Sequence, residues 1–433
     1  MAPAPPRTRR HPGIGRPRLA VVGSGVSGLT AAYVLQGAYD VTLFESESRL
    51  GGHAHTHDVP TADGRLIPID TGFIVHNERT YPHLLRLFRE LGVSTQDSDM
   101  SMSVRCDGCG LEYAGARGLR GFAAQPSALL RPEYVRLLAE VRKFHRQARR
   151  VLDSDECEGL TLGGFLAQGG YSTFFAQHFM MPFVSAVWSA GLGLARKYPA
   201  RYLFEFFAHH GMLTVSGAPV WKTVVGGSRS YVERAAKGLS AVEVSTSVRS
   251  IRRYEDGVEI RDDMDQVRSF DRVVVATHAD QALSMLENPT ADERAVLGAI
   301  HYSRNETVFH TDASLLPRST GARASWNYLL TECAPPDEKV HVSYHMNRLH
   351  QIHEPVDYVV TLNEPGLVRP DSVLDRMVYE HPIYTGESLA AQRRLPSLNL
   401  GRTAYAGAYH GWGFHEDGCL AGVRAAQAFG VEW

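Results

Sequence analysis

The sequence predicts an α/β protein built from two lobes. Three observations predict it. An apolar strand, a glycine-rich turn and a helix follow one another near the start. Strand-like runs that belong beside that unit recur near residues 248 and 276. The chain has 433 residues, more than the ~250–300 at which a single core stops growing.

The first element is the strand Leu19–Val22. It ends in Gly23-Ser24-Gly25-Val26-Ser27-Gly28, and a helical stretch runs on to Gln36. A second apolar strand, Val41–Phe44, closes on Glu45. Gly23 allows the tight turn, Gly25 lets the backbone approach a pyrophosphate, and Gly28 lets the helix pack close to the sheet. The helix N-terminus then faces phosphates with free N–H groups and a positive dipole end. Glu45 lies 17 residues past Gly28, where a carboxylate can hold a ribose hydroxyl. The pattern is that of an adenine dinucleotide site in a Rossmann-like lobe.

Just downstream come Arg49-Leu-Gly51-Gly52-His53 and then Asp70-Thr71-Gly72. Further on are Gly226-Gly227-Ser228, a strand near Val248, and Phe270-Asp-Arg-Val-Val-Val-Ala276-Thr277. The chain ends in Phe414-His-Glu416-Asp417-Gly418-Cys-Leu-Ala-Gly422-Val-Arg424-Ala-Ala. In this order the segments resemble the flavin-dependent amine oxidase and phytoene desaturase superfamily. The last matches its terminal flavin motif in length and in the Glu, final Gly and Arg-Ala-Ala positions. The resemblance implies FAD rather than NAD. It makes Gly23 to Gly28, Glu45, Arg49, Gly51, Gly52, His53, Asp70, Thr71, Gly72, Val248, Ala276, Thr277, Glu416, Asp417 and Gly418 candidates for contact with the cofactor. More narrowly, Asp70 to Pro82, Ala276 to Ala282, Ser325-Trp326-Asn327-Tyr328 and Tyr344-His345-Met-Asn347-Arg348 resemble a bacterial subgroup described as predicted NAD/FAD-binding or amine-oxidase-like proteins. Some of its members accompany enzymes that modify unsaturated lipid acyl chains, a hint about substrate.

This organisation implies a discontinuous FAD-binding lobe from 18–80, 217–280 and 396–433. Insertions 81–216 and 281–395 build a substrate lobe, a helical insertion plus an antiparallel sheet. The middle piece should hold a hairpin, Ile251 to Arg261, turning at Asp256-Gly257. Strand-like runs in the second insertion are Ala324–Leu330, Val340–Met346 and Asp357–Leu362. Residues 1–17, rich in Pro and Arg, read as a disordered tail without a secretory signal.

Composition excludes several classes. Charged residues make up 21% and the net charge is −2, so no global field invites nucleic acid. Five cysteines, an odd number, do not frame disulfides, and a reducing cytoplasm fits. No run of ~18 apolar residues marks a membrane span. One GxGxxG, not two, argues against a tight nicotinamide site, so electrons would come from substrate and leave to oxygen or a carrier.

No metal is expected. Cys106-Asp-Gly-Cys109 has CxxC spacing, but no second CxxC or spaced Cys/His pair completes four ligands. Asp107-Gly108 reads as a hairpin turn between Met102–Arg105 and Leu111–Tyr113. His53-Ala-His55-Thr-His57 alternates as ligands would, yet His53 follows the Gly-Gly pair, where many relatives carry Arg near the flavin phosphates. His53 is therefore assigned to the cofactor and the other two to site lining or surface. Residues 131–152 form an amphipathic helix with seven Lys/Arg against two Glu in 131–150. Its basic face suits solvent or docking to anionic lipid headgroups. The stretch 171–213 is dense in aromatic residues and Met, partly core and, by the resemblance, partly the wall of an apolar tunnel.

Two departures from amine oxidases stand out. Their lysine beside the flavin has no counterpart in the run His301 to His310, and no cysteine aligns with the one that tethers flavin in some of them. The cofactor is therefore expected to be non-covalent FAD. The expected reaction removes a hydride from a carbon of an apolar substrate. Candidate acid–base helpers are His76, His310, Tyr344, His345 and His410. One rival is an amine oxidase giving imine and hydrogen peroxide, with Trp326, Tyr328, Tyr409 and Trp412 as an aromatic cage. The other is a non-catalytic lipid-binding protein that has lost flavin.

Overall fold

A computed structural model describes residues 15–115, 121–154, 159–213, 219–334, 341–364 and 366–433. The expected N-terminal tail lies almost wholly outside them. Five parallel strands form the first sheet, in the spatial order Ala241–Glu243, Asp40–Phe44, Arg18–Val22, Arg272–Val275, Thr403–Tyr405. Strands brought together from such distant segments run parallel because helices and other layers return the chain between them. Both faces are covered, so successive residues enter different cores. Leu19, Val21, Val274 and Ala404 pack with the helices on one side, and Ala20, Val22, Val273, Val275 and Tyr405 pack on the other.

The helix Val26–Leu35 is buried along nearly its whole length, because the last helix, His415–Gln427, crosses it. A Cβ on Gly418 would stand 2.7 Å from Val26 Cγ1, and one on Gly422 would stand 2.9 Å from Thr30 Cβ. Two glycines four residues apart on one helix face thus make the groove that receives the first helix.

The other face of the parallel sheet carries an antiparallel sheet of three strands, Val248–Arg253, Val258–Asp262 and Val267–Phe270. Its first two strands are the expected hairpin. A seven-stranded mixed sheet forms the second large layer. Its order is Val373–Pro382, Tyr302–His310, Val359–Leu362, Val342–His345, Trp326–Leu330, Met102–Cys106, Leu111–Ala114. The three strand-like runs expected in the second insertion are its central strands, and the hairpin around Asp107-Gly108 is its edge. That edge makes the sheet a joint product of both insertions rather than of the second alone. Two further elements were not expected. Val373–Pro382 mixes charged and apolar residues without alternation, and Thr56–Pro60 pairs with Leu66–Asp70 as a small hairpin.

The rest of the first insertion is helical. Pro132–Leu152 buries Tyr134, Leu137, Phe144, Ala148 and Val151 against the aromatic core. Its basic residues lie mainly on the outer face, where Lys143 and Arg149 also cap the carbonyls of Gly169 and Leu213. No helix among the described residues is long and apolar enough to cross a membrane.

The crossing of the first and last helices should be intolerant of bulk. Gly422→Leu places a side chain against Ser27, Thr30 and Ala31 and should cost about 1–3 kcal/mol. That loss is read as a lower midpoint of thermal unfolding. An unchanged midpoint would show that the helices do not depend on this approach.

Candidate functional site

The glycine turn is built by close backbone contact. Gly23 has φ +99°, and a Cβ there would lie 2.8 Å from the Ala276 carbonyl oxygen. A Cβ on Gly28 would overlap the Gly23 carbonyl and reach Ala276 Cβ at 3.2 Å. Gly25 differs from both. Its φ of −61° suits any residue, and a Cβ would meet nothing within 4 Å. Packing within the chain does not require glycine there, and the backbone at this point is left open. Gly25 is also the N-cap of Val26–Leu35, with no side-chain cap and no acid in the first turn. The helix's free N–H groups and positive end are left for an anion. Gly52 folds over this point, its Cβ position 3.2 Å from Gly25 Cα. The side chains of Val26 and Ser27 are directed to Gly418 of the last helix, so at these positions only the backbone faces a ligand.

Several residues expected at the cofactor turn out to brace the loops around it. Glu45 Oε2 accepts from Ser24 N at 2.9 Å and Ser24 Oγ at 2.5 Å, and Oε1 accepts from Glu47 N at 2.9 Å. Gly51 N donates to Ser24 Oγ at 3.1 Å, so one serine ties the acid to the Gly-Gly turn. Arg49 Nη1 donates to Gly52 O at 2.8 Å, and its Nη2 pairs with Glu47 at 2.9 Å. Asp70 is turned wholly inward. Its side chain accepts from Thr56 Oγ1 at 2.5 Å, Ser228 Oγ at 2.7 Å and Ser228 N at 3.0 Å. Thr71 Oγ1 lies 2.7 Å from Tyr379 OH. A Cβ on Gly72 would overlap the His53 carbonyl. Asp70-Thr71-Gly72 is thus the platform on which His53 rests. Thr277 lies beside Gly23, and half-buried Val248 begins its strand just beyond Glu45.

The acids of the terminal motif are likewise engaged within the chain. Glu416 Oε1 accepts from His83 N at 3.1 Å and Oε2 from Leu84 N at 3.0 Å. It caps the helix Pro82–Leu91. Asp417 accepts from Phe414 N at 2.9 Å and fills the space beside Gly411. Burial pushes its carboxyl up to about 7. What the last helix offers a ligand is its N-terminal backbone, held in place by these two acids and by Gly418.

Around these loops lies a group of neutral, mostly half-buried rings that sequence spacing does not reveal. His53 has ring-centroid distances of 5.1 Å to Tyr379, 5.4 Å to His381 and 6.5 Å to His278. His278 stacks on Tyr302 at 4.2 Å. Tyr379 and His381 are two apart on one strand and so share a face, the only signal that could have found them. Burial, then neighbouring histidines, hold His53 far below its ordinary range. Burial alone dominates in lowering His381 to about 4 and His410 and His415 to about 3. At neutral pH these rings carry no charge. His53 Nε2, Tyr384 OH, Tyr409 OH, His410 Nε2 and Trp412 Nε1 are buried without a hydrogen-bond partner among the described residues. Each such orphan costs about 1–3 kcal/mol unless a ligand or water meets it.

The expected acid–base helpers are scattered. His310 is held inside the large sheet by Thr361 Oγ1 at 2.8 Å and by Asp312 N at 3.1 Å. His345 is bonded to Asp357 at 2.9 Å. Both are structural. Tyr344 packs edge-on against Trp326 at 5.2 Å. His76 is fully buried among Phe73, Tyr81 and Phe88 with neither nitrogen partnered. His410 sits with the orphaned groups beside the last helix, and His76 reaches that helix through Phe73, which stacks on His415 at 3.6 Å. His55 and His57 lie 4.1 Å apart with tilted rings and bind Tyr379 OH and Thr71 Oγ1, so they support the platform.

A family model for flavin containing amine oxidoreductases matches residues 26–312, well over half of the chain. The chain belongs to this family. Its fold is similar to that of cyclohexylamine oxidase from Brevibacterium oxydans IH-35A, with a TM-score of 0.67 and 16% identity over 95% of this chain and 98% of that one. It is also similar to a CLA-producing fatty acid isomerase from P. acnes, with a TM-score of 0.64 and 17% identity over 94% and 97%. A curated relative, tryptophan 2-monooxygenase of Allorhizobium ampelinum, is 50% identical over 44 residues. That match covers 10% of this chain and only 6% of the relative's length. The protein is therefore a flavin amine oxidase-type oxidoreductase by family, with the mixed α/β architecture of its structural neighbours.

Two outcomes follow. Gly25→Val should leave the fold intact, since its Cβ meets no protein atom, yet abolish flavin retention because the side chain occupies the phosphate approach. A yellow variant with wild-type flavin content would refute the site. Acid should weaken the protein through its buried histidines. A ring whose folded pKa is depressed contributes stability above the unfolded value and loses it as pH falls through the folded one. For His76 that window runs from 6.5 down to about 4. His76→Leu should therefore flatten the fall of the unfolding midpoint with pH across this window. An unaltered slope would mean that His76 is not held neutral.

Proposed function

We propose that the chain binds FAD non-covalently and removes a hydride equivalent from a carbon of an apolar substrate. The dinucleotide fits the residues present: a bare Gly25 at an uncapped helix N-terminus, the braced Gly51-Gly52 turn, and unpartnered buried polar atoms nearby. The backbone from Gly25 to Ser27 would hold the pyrophosphate, Glu45 the ribose side, and His53, Ala276-Thr277 and the start of the last helix the flavin half. Bound flavin supplies the two-electron acceptor, which oxygen or a carrier would discharge.

The observation that carries the apolar substrate is the wall beside the last helix. Tyr202 and Tyr384 lie 4.9 Å apart, Phe206 stacks on Phe414 at 4.9 Å, and Trp188 lies 4.8 Å from Phe206. The nearest acid, Asp417, accepts from the Phe414 backbone N–H, and burial raises its carboxyl well above the usual carboxylate range. The site thus offers shape and exclusion of water, not a counter-ion. Each CH2 buried there contributes roughly 0.8 kcal/mol, so an acyl chain needs no charged anchor. Loading from a membrane surface is supported by Leu129, Leu130 and Val135, 42%, 86% and 50% exposed, beside Arg131 and Arg136. Amine oxidation is the second reading. The Tyr202–Tyr384 pair with Trp412 at 6.4 Å from Tyr202 has the form of a cage for a cation.

Acid precipitation of the purified protein should release FAD and leave a colourless pellet. Anaerobic mixing should bleach the oxidised flavin band with unsaturated or methyl-branched acyl lipids and not with small amines. Bleaching by amines alone would overturn the apolar reading in favour of the amine, and colour in the pellet would overturn non-covalent binding.

A further inference from the structure

The CxxC turn does not stand alone in the fold. Cys106 ends the strand Met102–Cys106, next to the sheet edge, and Cys109 lies in the turn that leads to the edge strand Leu111–Ala114. His178 comes from the helical insertion and Cys333 from the loop after Trp326–Leu330. The three Sγ atoms and a ring nitrogen of His178 all lie within 4.8 Å of one another. Cys106 Sγ is 3.7 Å from Cys333 Sγ, and Cys109 Sγ is 3.6 Å from His178 Nε2. A tetrahedral zinc ion with Zn–S near 2.3 Å and Zn–N near 2.05 Å requires edges of about 3.8 Å and 3.5 Å for these two pairs. The sulfur pair is far outside the ~2.05 Å of a disulfide, and all three cysteines are free thiols.

The surroundings are shaped to this cluster. His178 Nδ1 lies 3.2 Å from the Phe174 carbonyl oxygen. Donation from Nδ1–H fixes the tautomer and leaves the Nε2 lone pair for the cluster, the arrangement of metal-bound histidines. The helix carrying His178 widens to π geometry over Ala176–Met180, a distortion often found at functional positions. A Cβ on Gly108 would stand 2.8 Å from Cys333 N, so glycine is needed for the turn to abut the third cysteine's loop. Asp107 N donates to Leu330 O at 2.8 Å and Arg131 Nη1 to Cys109 O at 2.8 Å. Cys106 and His178 are each 1% exposed.

We propose that Cys106, Cys109, His178 and Cys333 bind a structural zinc ion. The ligand set is soft and tetrahedral, which selects zinc over harder divalent ions, and four protein ligands leave no open position for catalysis. On binding, the cysteines enter as thiolates and their protons leave to solvent. The ion joins the hairpin at the sheet edge, the aromatic helix and the loop after a central strand. It so fixes Phe174 and Phe179, which flank His178, against the large sheet.

The test uses the full-length, flavin-loaded protein purified without chelator. Elemental analysis should find close to one zinc per chain. Cys109→Ser with Cys333→Ser should lose that zinc and keep the flavin absorbance. Chelator should lower the unfolding midpoint of the wild type and not of the double variant. Should the double variant fail to fold, cobalt(II) exchanged into the wild type decides, since tetrahedral thiolate ligation gives ligand-field bands to the red of flavin. Zinc absent even after growth in added zinc, with no such cobalt bands, would overturn the proposal. So would zinc retained by a folded double variant, iron in place of zinc, or a native disulfide between Cys106 and Cys333.

Discussion

The carbonyl of Ala276 occupies the place a side chain at position 23 would need, and the nucleotide lobe is arranged around that contact. Gly23 N donates to Phe44 O and Ala276 N to Val22 O, so three parallel strands end at one level where the turn begins. Gly28 lets the first helix start directly above that level. With the helix so close, the last helix can reach it only through Gly418 and Gly422. A substitution at any of these positions shifts the helix N-terminus from which an anion would be held.

Legibility in the sequence follows from how local each constraint is. The glycine turn, the strand ends and the last helix are written in contiguous residues, and the structure has them where the spacing predicts. Asp70 and Glu416 show the limit. A carboxylate that binds a ligand and one that accepts from backbone N–H groups look alike in a sequence. Only the fold reveals that Ser228 and Leu84 are among the partners. His310 and His345 mislead for the same reason, since burial and a neighbouring Thr or Asp turn each into a piece of sheet architecture. The strand Val373–Pro382 escapes because its apolar residues do not alternate cleanly, and with it go Tyr379 and His381.

The cysteine cluster is the strongest case of non-local assembly. Its ligands lie on an edge hairpin, a helix and a distant loop, so no spacing rule for metal motifs applies. The expectation that nothing completes Cys106 and Cys109 is corrected by the register of one strand pair, Met102–Cys106 beside Trp326–Leu330. That pair carries Cys333 to the turn. The neutral histidines show the same principle in another form. Each ring alone is an ordinary core residue, and together they make an uncharged surface beside the backbone cradle.

The central claim is that the glycine turn and the first helix hold the adenosine diphosphate half of the cofactor. Titrating flavin-stripped protein with FAD and with FMN, and following flavin fluorescence, tests it directly. The account predicts saturable binding of FAD that ADP displaces, with FMN bound far more weakly. Equal affinity for FMN and FAD, with no displacement by ADP, would contradict it.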